Sequence, residues 1–121
     1  VKQLIFTGLI QQDKVSDFYA AADVFLHASL TETQGMTIAE AMAAGLPIVA
    51  VRASGVVDQL EDGKTGIMVN QEKGVFGGKV EEVLINKKLA DKLSSNAKKK
   101  AMEYDNKKRA KQLEEIYLSL L

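Results

Sequence analysis

Two glutamates, Glu32 and Glu40, lie eight positions apart around Gly35, at the start of a small, alanine-rich helical pattern. Carboxylates accept hydrogen bonds from pairs of hydroxyl groups, which is how proteins hold the vicinal diols of riboses and hexoses. Glycine lets a ligand approach the backbone, and the free N–H groups at the start of a helix, here around Met36 and Thr37, suit an anion such as phosphate. Diol, phosphate and diol together describe a nucleotide sugar.

Each glutamate also has a purely structural interpretation. Thr37 followed three positions later by Glu40 matches the capping box, in which a threonine caps the helix and the glutamate reaches back to a backbone N–H. An isolated glutamate such as Glu32 is most often a solvated loop carboxylate. Both interpretations remain open at the level of the pattern, and the elements that position the two residues have to decide between them.

Strand and helix patterns alternate along the first 70 residues. Short apolar runs predict strands over 3–8, 23–28, 47–51 and 66–69, and the segments between them predict helices over 14–22, 36–44 and 56–61. Strands that are apolar on both faces and separated by helices indicate a parallel sheet that is covered on both sides. After residue 71 the pattern changes to three helices, over 74–87, 88–102 and 106–121. We therefore predict an α/β fold, a Rossmann-like parallel sheet that ends in helices.

This fold gives the two glutamates a position. In open parallel sheets, ligands bind beyond the carboxyl ends of the strands, and residues 29–35 connect a predicted strand to the helix that follows it. If that helix begins near Gly35, Glu40 lies about one and a half turns into it and Glu32 just before it. A ligand that lies across the helix end could then contact both carboxylates.

Composition narrows the class of protein. A chain of 121 residues fits one domain, 1–121, and the balance of 16 basic and 16 acidic side chains gives no reason to expect nucleic-acid binding. The absence of cysteine excludes disulfides and thiolate metal sites, and no histidine or carboxylate cluster has the spacing of a metal site. No apolar run is long enough to cross a bilayer, and the first residues resemble neither a signal peptide nor a natural start. We expect a cytoplasmic protein and a truncated chain.

Several segments in a fixed order carry a resemblance to a known family. Besides the E-x7-E spacing of Glu32 and Glu40, they are FTG at 6–8, ADVF at 22–25, SLTE at 29–32, EAMAAGLPIVA at 40–50 and DGKTG at 62–66. As an ordered set they resemble the C-terminal domain of retaining GT-B glycosyltransferases of the large group 1 family. The resemblance covers roughly residues 3–70. It implies an enzyme that moves a hexose from a nucleotide diphosphate sugar to an acceptor. From the sequence we expect no cofactor and no metal ion.

The resemblance also implies a role for individual residues. Glu32 is expected at the hexose of the donor, as the catalytic carboxylate, and Glu40 at the ribose hydroxyls. Ile10 falls where the family contacts the base. Backbone N–H groups that meet the diphosphate or the sugar are expected at Gly35, Met36 and Thr37. UDP-glucose is the first candidate for the donor.

Other features of the family differ here or are absent. Gln34 precedes Gly35 where the family often has an aromatic residue, and this version resembles bacterial glucosyltransferases that act on diacylglycerol. The family's paired basic residues that clamp the diphosphate lie upstream of the segment at 3–6, together with the acceptor-binding N-terminal domain. We therefore expect this chain to be inactive alone, with that domain as its partner. The sheet would also lack two strands between 3–6 and 23–27, so the first strand should pair directly with the second, or another copy of the chain should fill the space.

Two further functions compete with this prediction. The first is a noncatalytic nucleotide-binding module on the same fold, because fold alone does not fix function. The second is a peripheral membrane or protein-interaction domain that uses the basic clusters 98–100 and 107–109, which could also bring an enzyme with a lipid acceptor to the inner face of a membrane. A solvated helix face is the simpler interpretation of these clusters. For His27 a packed strand histidine is favoured over a catalytic one, and for DGKTG a turn is favoured over a phosphate loop.

Overall fold

The computed structural model describes residues 4–30, 36–72 and 74–121 of the chain. Along these residues run α1 (Gln12–Ala21), β1 (Phe25–His27), α2 (Met36–Ala43), β2 (Ile48–Val51), α3 (Ser54–Val57), β3 (Ile67–Val69), α4 (Val75–Ile85) and α5 (Lys87–Ser119). The three strands form one parallel sheet in the order β1, β2, β3. The predicted α/β fold with a parallel sheet is therefore confirmed.

The central strand β2 explains why the sheet has helices on both faces. All four of its residues are buried, and successive side chains of a strand point to opposite faces. Ile48 and Ala50 pack in one cluster with residues of α2, including Ile38. Val49 packs on the other face with Val83 of α4 and Leu93 of α5. A strand that is apolar throughout needs cover on both sides, which these helices supply.

Helix α2 is held against this sheet by one apolar stripe and by a defined end. Ile38, Ala41 and Met42 are buried at the spacing of a helix face. At the end of the helix, the N–H of Gly45 donates to the carbonyl of Met42 and the N–H of Leu46 donates to the carbonyl of Ala41, both at 3.0 Å. This pair of bonds is the Schellman arrangement, and it needs a left-handed residue, which Gly45 supplies with φ of 76°. The predicted end of the helix at Gly45 is confirmed.

The connection between β2 and β3 differs in part from the prediction. The short helix α3 spans Ser54–Val57, so it begins and ends earlier than the predicted 56–61. The segment 62–66 forms a turn, as predicted: Asp62 bridges to Gly66, and Gly63 has φ of 78°. The backbone N–H of Glu61 donates to the hydroxyl of the buried Thr65 at 2.8 Å, which fixes the turn internally.

The prediction of three C-terminal helices is wrong in one respect. The helices predicted over 88–102 and 106–121 form the single helix α5 of 33 residues, which ends at Ser119. The segment between them, 103–105, contains neither glycine nor proline, so the helix has no residue that would end it there. The boundary between α4 and α5 is instead set by Asn86, whose side-chain oxygen accepts the N–H of Leu89 at 3.1 Å and caps α5.

The N-terminal half of α5 is fastened to the rest of the domain by side-chain contacts. The hydroxyl of Ser94 donates to the carbonyl of Gly45, and the amide of Asn96 donates to the carbonyl of Lys64 at 3.0 Å. Leu93 and Ala97 are fully buried, whereas no described side chain after Ala101 is buried. The helix therefore packs on the core for its first half and extends past the core for its second.

The predicted strand over 3–8 is wrong for its described residues, since 4–8 form no strand. Leu4, Ile5 and Phe6 are 60%, 81% and 88% exposed. A strand needs a neighbour that pairs with its backbone groups, and none of the described strands pairs with this segment. The expectation that it would pair directly with β1 is therefore wrong as well. The alternative, that another copy of the chain fills the space beside β1, stays a prediction.

We predict opposite changes in the free energy of unfolding when two of the glycines are replaced by alanine. Gly45 is left-handed, so Gly45→Ala should lower the free energy of unfolding by about 1 kcal/mol, although the added methyl would meet only ordinary contacts at 3.5 Å. Gly78 lies inside α4, where an added methyl meets nothing within 4 Å, so Gly78→Ala should raise it by about 0.5–1 kcal/mol. Urea unfolding followed by circular dichroism measures both. Shifts of the same sign would contradict the assigned conformations.

Candidate functional site

The start of α2 lies at the carboxyl edge of the sheet, because this helix follows β1. Met36 is its first residue and Thr37 its second, so their backbone N–H groups are among those without an acceptor inside the helix. The side chain of Thr37 is exposed. Glu32 and Gly35 lie outside the described residues. The predicted positions of Met36 and Thr37 at a helix N-terminus are confirmed, whereas a ligand at these groups remains a prediction.

Glu40 lies one turn further along α2 and contacts α1. The hydroxyl of Tyr19 donates a hydrogen bond to Oε2 of Glu40 at 2.9 Å, and both side chains are half-buried. Burial, together with the neighbouring carboxylate of Glu40, raises the pKa of Tyr19 to about 12. Tyr19 is thus a hydrogen-bond donor to Glu40 throughout the physiological pH range.

The capping-box interpretation of Glu40 is wrong. In a capping box the threonine stands just outside the helix, whereas Thr37 is its second residue. Glu40 is consequently the fifth residue of α2 and does not occupy the third position that a capping box requires. Its carboxylate accepts a hydrogen bond from another helix instead, which leaves its role to be decided by what lies around it.

An open groove of about 420 Å³ runs between α1 and α2 at this contact. It is lined by Val15, Ser16, Tyr19, Glu40, Ala43 and Ala44. The small alanines leave the groove open, while a hydroxyl, a phenol and a carboxylate supply polar groups. A carboxylate offers about four acceptor sites and the bond from Tyr19 occupies one, so Glu40 has capacity to accept hydroxyl groups of a ligand. Ile10, the residue predicted at the base, is half-buried just before α1.

His27 is part of the packing of β1. It is 8% exposed, and its ring stacks on that of Phe25 with centroids 6.4 Å apart and planes inclined by 27°. Phe25 in turn contacts Tyr19, with ring centroids 5.9 Å apart. The favoured prediction, a packed strand histidine, is therefore confirmed.

A basic side chain that the sequence patterns did not single out lies at the same edge of the sheet. Arg52 follows β2, and its Nε donates to Oδ1 of Asn70 at 3.3 Å. Its guanidinium also lies 3.8 Å from Oδ2 of Asp62, on the side of β3. Arg52 is thereby engaged with residues at the β3 end of the sheet.

The partnership of Tyr19 and Glu40 was also not predicted. In the sequence, Tyr19 reads as one of several apolar residues on the inner face of a helix, and 21 positions separate it from Glu40. The available signal was chemical, because a tyrosine placed on an inner face usually finds a hydrogen-bond partner. The identity of that partner depends on how α1 and α2 lie side by side on the sheet.

Comparison with known proteins agrees with this fold. Residues 1–100 match the family described as glycosyl transferases group 1. The chain belongs to this family. It is 40% identical over 115 residues to the alpha-monoglucosyldiacylglycerol synthase of Acholeplasma laidlawii, an alignment with 94% of this chain and 28% of that protein. It is 46% identical over 69 residues to the sulfoquinovosyl transferase SQD2 of Arabidopsis thaliana, which covers 54% of this chain and 14% of that protein.

Solved structures of several other proteins show the same architecture. The C-terminal domain of LpcC from Francisella tularensis superposes with a TM-score of 0.76 at 26% identity, over 84% of this chain and 53% of that one. HepE from Anabaena, in complex with UDP-glucose, superposes with a TM-score of 0.68 at 26% identity, over 81% of this chain and 29% of that one. Sucrose-phosphate synthase from Thermosynechococcus elongatus shares the fold with a TM-score of 0.82 at 24% identity, over 98% of this chain and 30% of that one. The chain thus has the fold of a GT-B C-terminal domain and spans less than a third of the curated relatives that it matches.

Burial of the Tyr19 phenol, together with its contact with Glu40, raises the pKa of this side chain, so we expect a tyrosine that titrates late. The ordinary pKa of the phenol is 10.0, and in the folded state it is about 12. The interaction stabilises the fold fully below pH 10 and is lost as the pH rises through 12, because the unfolded chain then releases the proton more easily. Tyrosinate absorbance against pH measures this.

The titration has a specific control in the variant Tyr19→Phe. It should remove the late-titrating component and leave the remaining absorbance change in place. If the high-pH component persists in Tyr19→Phe, the raised pKa belongs to another tyrosine and the assignment is wrong.

Proposed function

We propose that this chain is the donor-binding part of a retaining glycosyltransferase that transfers a hexose from a nucleotide diphosphate sugar. The single observation that supports it most is the carboxylate of Glu40, which lies one turn after the start of α2 and lines a groove of about 420 Å³, in a chain of the group 1 family. A carboxylate and a row of free N–H groups are the two partners that a ribose and a diphosphate require.

In this proposal each part of the donor has a partner. Glu40 accepts the ribose hydroxyls, and the N–H groups of Gly35, Met36 and Thr37 meet the diphosphate or the sugar. Ile10 contacts the base, and Glu32 lies at the hexose as the catalytic carboxylate. Retention through an oxocarbenium-like transition state needs stabilisation of the leaving diphosphate more than a strong nucleophile, so a helix N-terminus suits this chemistry.

UDP-glucose remains the first candidate for the donor. HepE from Anabaena, which shares 26% identity and the fold, is described in complexes with UDP-glucose and, at 27% identity, with UDP. The relative in Acholeplasma laidlawii is named as a synthase of a glucosylated diacylglycerol. These two neighbours support a UDP-sugar donor and a membrane lipid as acceptor. The acceptor would be bound with an N-terminal domain, which we propose as the partner of this chain in a longer protein.

The end of α5 supports contact with a lipid surface. Leu113, Ile116, Tyr117 and Leu120 recur at helical spacing and are each at least 60% exposed. Lys107, Lys108 and Lys111 lie on the remainder of the same helix segment, where basic side chains attract anionic lipid. No helix among the described residues has the length and apolar character to cross a membrane. We propose that the enzyme works at the cytoplasmic face of a membrane, with this segment lying on the surface.

Loss of the Glu40 carboxylate should weaken donor binding. A hydrogen bond to a charged group contributes about 1.5–3 kcal/mol, so Glu40→Ala should weaken the affinity for UDP and UDP-glucose by roughly tenfold or more. Calorimetric titration of the protein that contains this chain measures the change, and circular dichroism checks the fold.

A second carboxylate on an exposed helix face supplies the control. Glu81→Ala in α4 removes the same group far from the groove and should leave both affinities unchanged. Equal binding by Glu40→Ala and the wild type would contradict the proposed ribose contact. Hexose transfer by the protein separates the enzyme from the noncatalytic nucleotide-binding module, which would bind UDP-glucose without turning it over.

The proposed membrane contact makes a separate prediction. Charges placed in the apolar stripe, as in the double variant Leu113→Glu and Ile116→Glu, should abolish co-sedimentation with vesicles that contain anionic lipid. Leu118 is 59% exposed on the other side of the helix, so Leu118→Glu should have a much smaller effect. Equal loss in both variants, or a wild type that does not sediment, would contradict the surface assigned here. Vesicle binding without nucleotide binding would favour the interaction-domain alternative.

A further inference from the structure

The hydrogen bond between Tyr19 and Glu40 has a direction and a geometry that matter for a ligand in the groove. The phenol donates at 2.9 Å to Oε2, and therefore fixes the plane of the carboxylate from one side. A glutamate has three side-chain torsions, so its carboxylate samples several orientations when nothing holds it. A bound partner that occupies one oxygen reduces this freedom and leaves acceptor sites for others.

Tyr19 is itself well placed to hold another group. Its ring packs against Phe25 with centroids 5.9 Å apart, and Phe25 belongs to strand β1. A tyrosine has only two side-chain torsions, so a packed ring presents its hydroxyl at a defined point. The contacts thus form a chain from the sheet through Phe25 and Tyr19 to the carboxylate of Glu40.

The same groove contains both partners. Tyr19 and Glu40 line it from α1 and α2 respectively, next to the exposed Ser16. A ligand hydroxyl that donates to Glu40 would meet a carboxylate whose orientation is already set. Preorganisation of this kind improves affinity because less side-chain freedom is lost on binding.

We propose that Tyr19 is a positioning residue that holds the Glu40 carboxylate ready for the ribose hydroxyls, and that this pair makes the site prefer ribonucleotides over 2′-deoxyribonucleotides. The inference rests on the proposed function, in which Glu40 binds the ribose. It adds a residue from a different helix and a specificity: the site distinguishes donors by the ribose 2′-hydroxyl. Tyr19 acts through Glu40 and need not touch the ligand.

The preference for UDP over 2′-deoxy-UDP is the quantity that tests this. Immobilising a rotamer-rich side chain costs about 0.5–1.5 kcal/mol, so Tyr19→Phe should reduce the affinity for UDP by roughly threefold to tenfold. The affinity for 2′-deoxy-UDP should change much less, because one of the hydroxyls that Glu40 would bind is already missing. The ratio of the two dissociation constants should therefore fall towards that of Glu40→Ala.

The experiment is a calorimetric titration of the full-length protein with UDP and with 2′-deoxy-UDP. Four proteins are compared: the wild type, Tyr19→Phe, Glu40→Ala and the double variant. Glu81→Ala is the control, because it removes a carboxylate from an exposed position on α4 and should keep the wild-type ratio. Tyr19→Phe retains the ring that packs on Phe25, and circular dichroism and urea unfolding verify that each variant is folded.

The outcomes separate this inference from the proposed function. If Glu40→Ala lowers the ratio and Tyr19→Phe lowers it in the same direction, with no further loss in the double variant, the positioning role is supported. If Tyr19→Phe keeps the wild-type ratio, or weakens both nucleotides equally, Tyr19 is only structural and the inference is overturned while Glu40 keeps its role. If Glu40→Ala itself keeps the wild-type ratio, the ribose contact fails and the inference falls with it.

Discussion

The burial of β2 on both faces is the constraint on which the rest of this structure depends. None of its four residues is exposed, so each face of the sheet must be covered by helices. The cover on one face is α2, whose own buried stripe of Ile38, Ala41 and Met42 fixes its rotation. That rotation turns Glu40 away from the core and towards α1, because a residue two positions after Ile38 lies on the other side of the helix. The position of the candidate ligand group is therefore a consequence of core packing.

The sequence predicts this part of the fold well because the signals are local. The run Ile48–Val51 can be satisfied only by a strand covered on both sides, and Gly45 supplies the left-handed residue that ends α2. The turn at 62–66 is likewise predicted by the residues of that segment alone. The positions of Met36 and Thr37 at the start of α2 follow from the same local signals. They place part of the candidate site without any knowledge of tertiary contacts.

The features that could not be predicted from the sequence depend on contacts between residues that are distant along the chain. Residues 4–8 have the composition of a strand, but a strand exists only beside another strand, and the pattern does not reveal whether one is available. The sequence at Thr37 matches the capping-box pattern, but the helix starts two residues earlier than that pattern requires, so Thr37 lies inside it. The hydrogen bond from Tyr19 to Glu40 depends on the relative placement of α1 and α2, which no spacing within either helix encodes.

Helix α1 packs less tightly on the sheet than α2, so its contact with Glu40 is more important for its position. None of the described side chains of α1 is buried, so Tyr19, with its ring on Phe25 and its hydroxyl on Glu40, is a main point of attachment to the sheet. A ligand that displaced the phenol from the carboxylate would loosen α1, whereas one that used the remaining acceptor sites would leave it in place. Because a carboxylate accepts several hydrogen bonds, the second arrangement costs no protein contact. The groove is thus better suited to a ligand that shares Glu40 with Tyr19 than to one that competes for it.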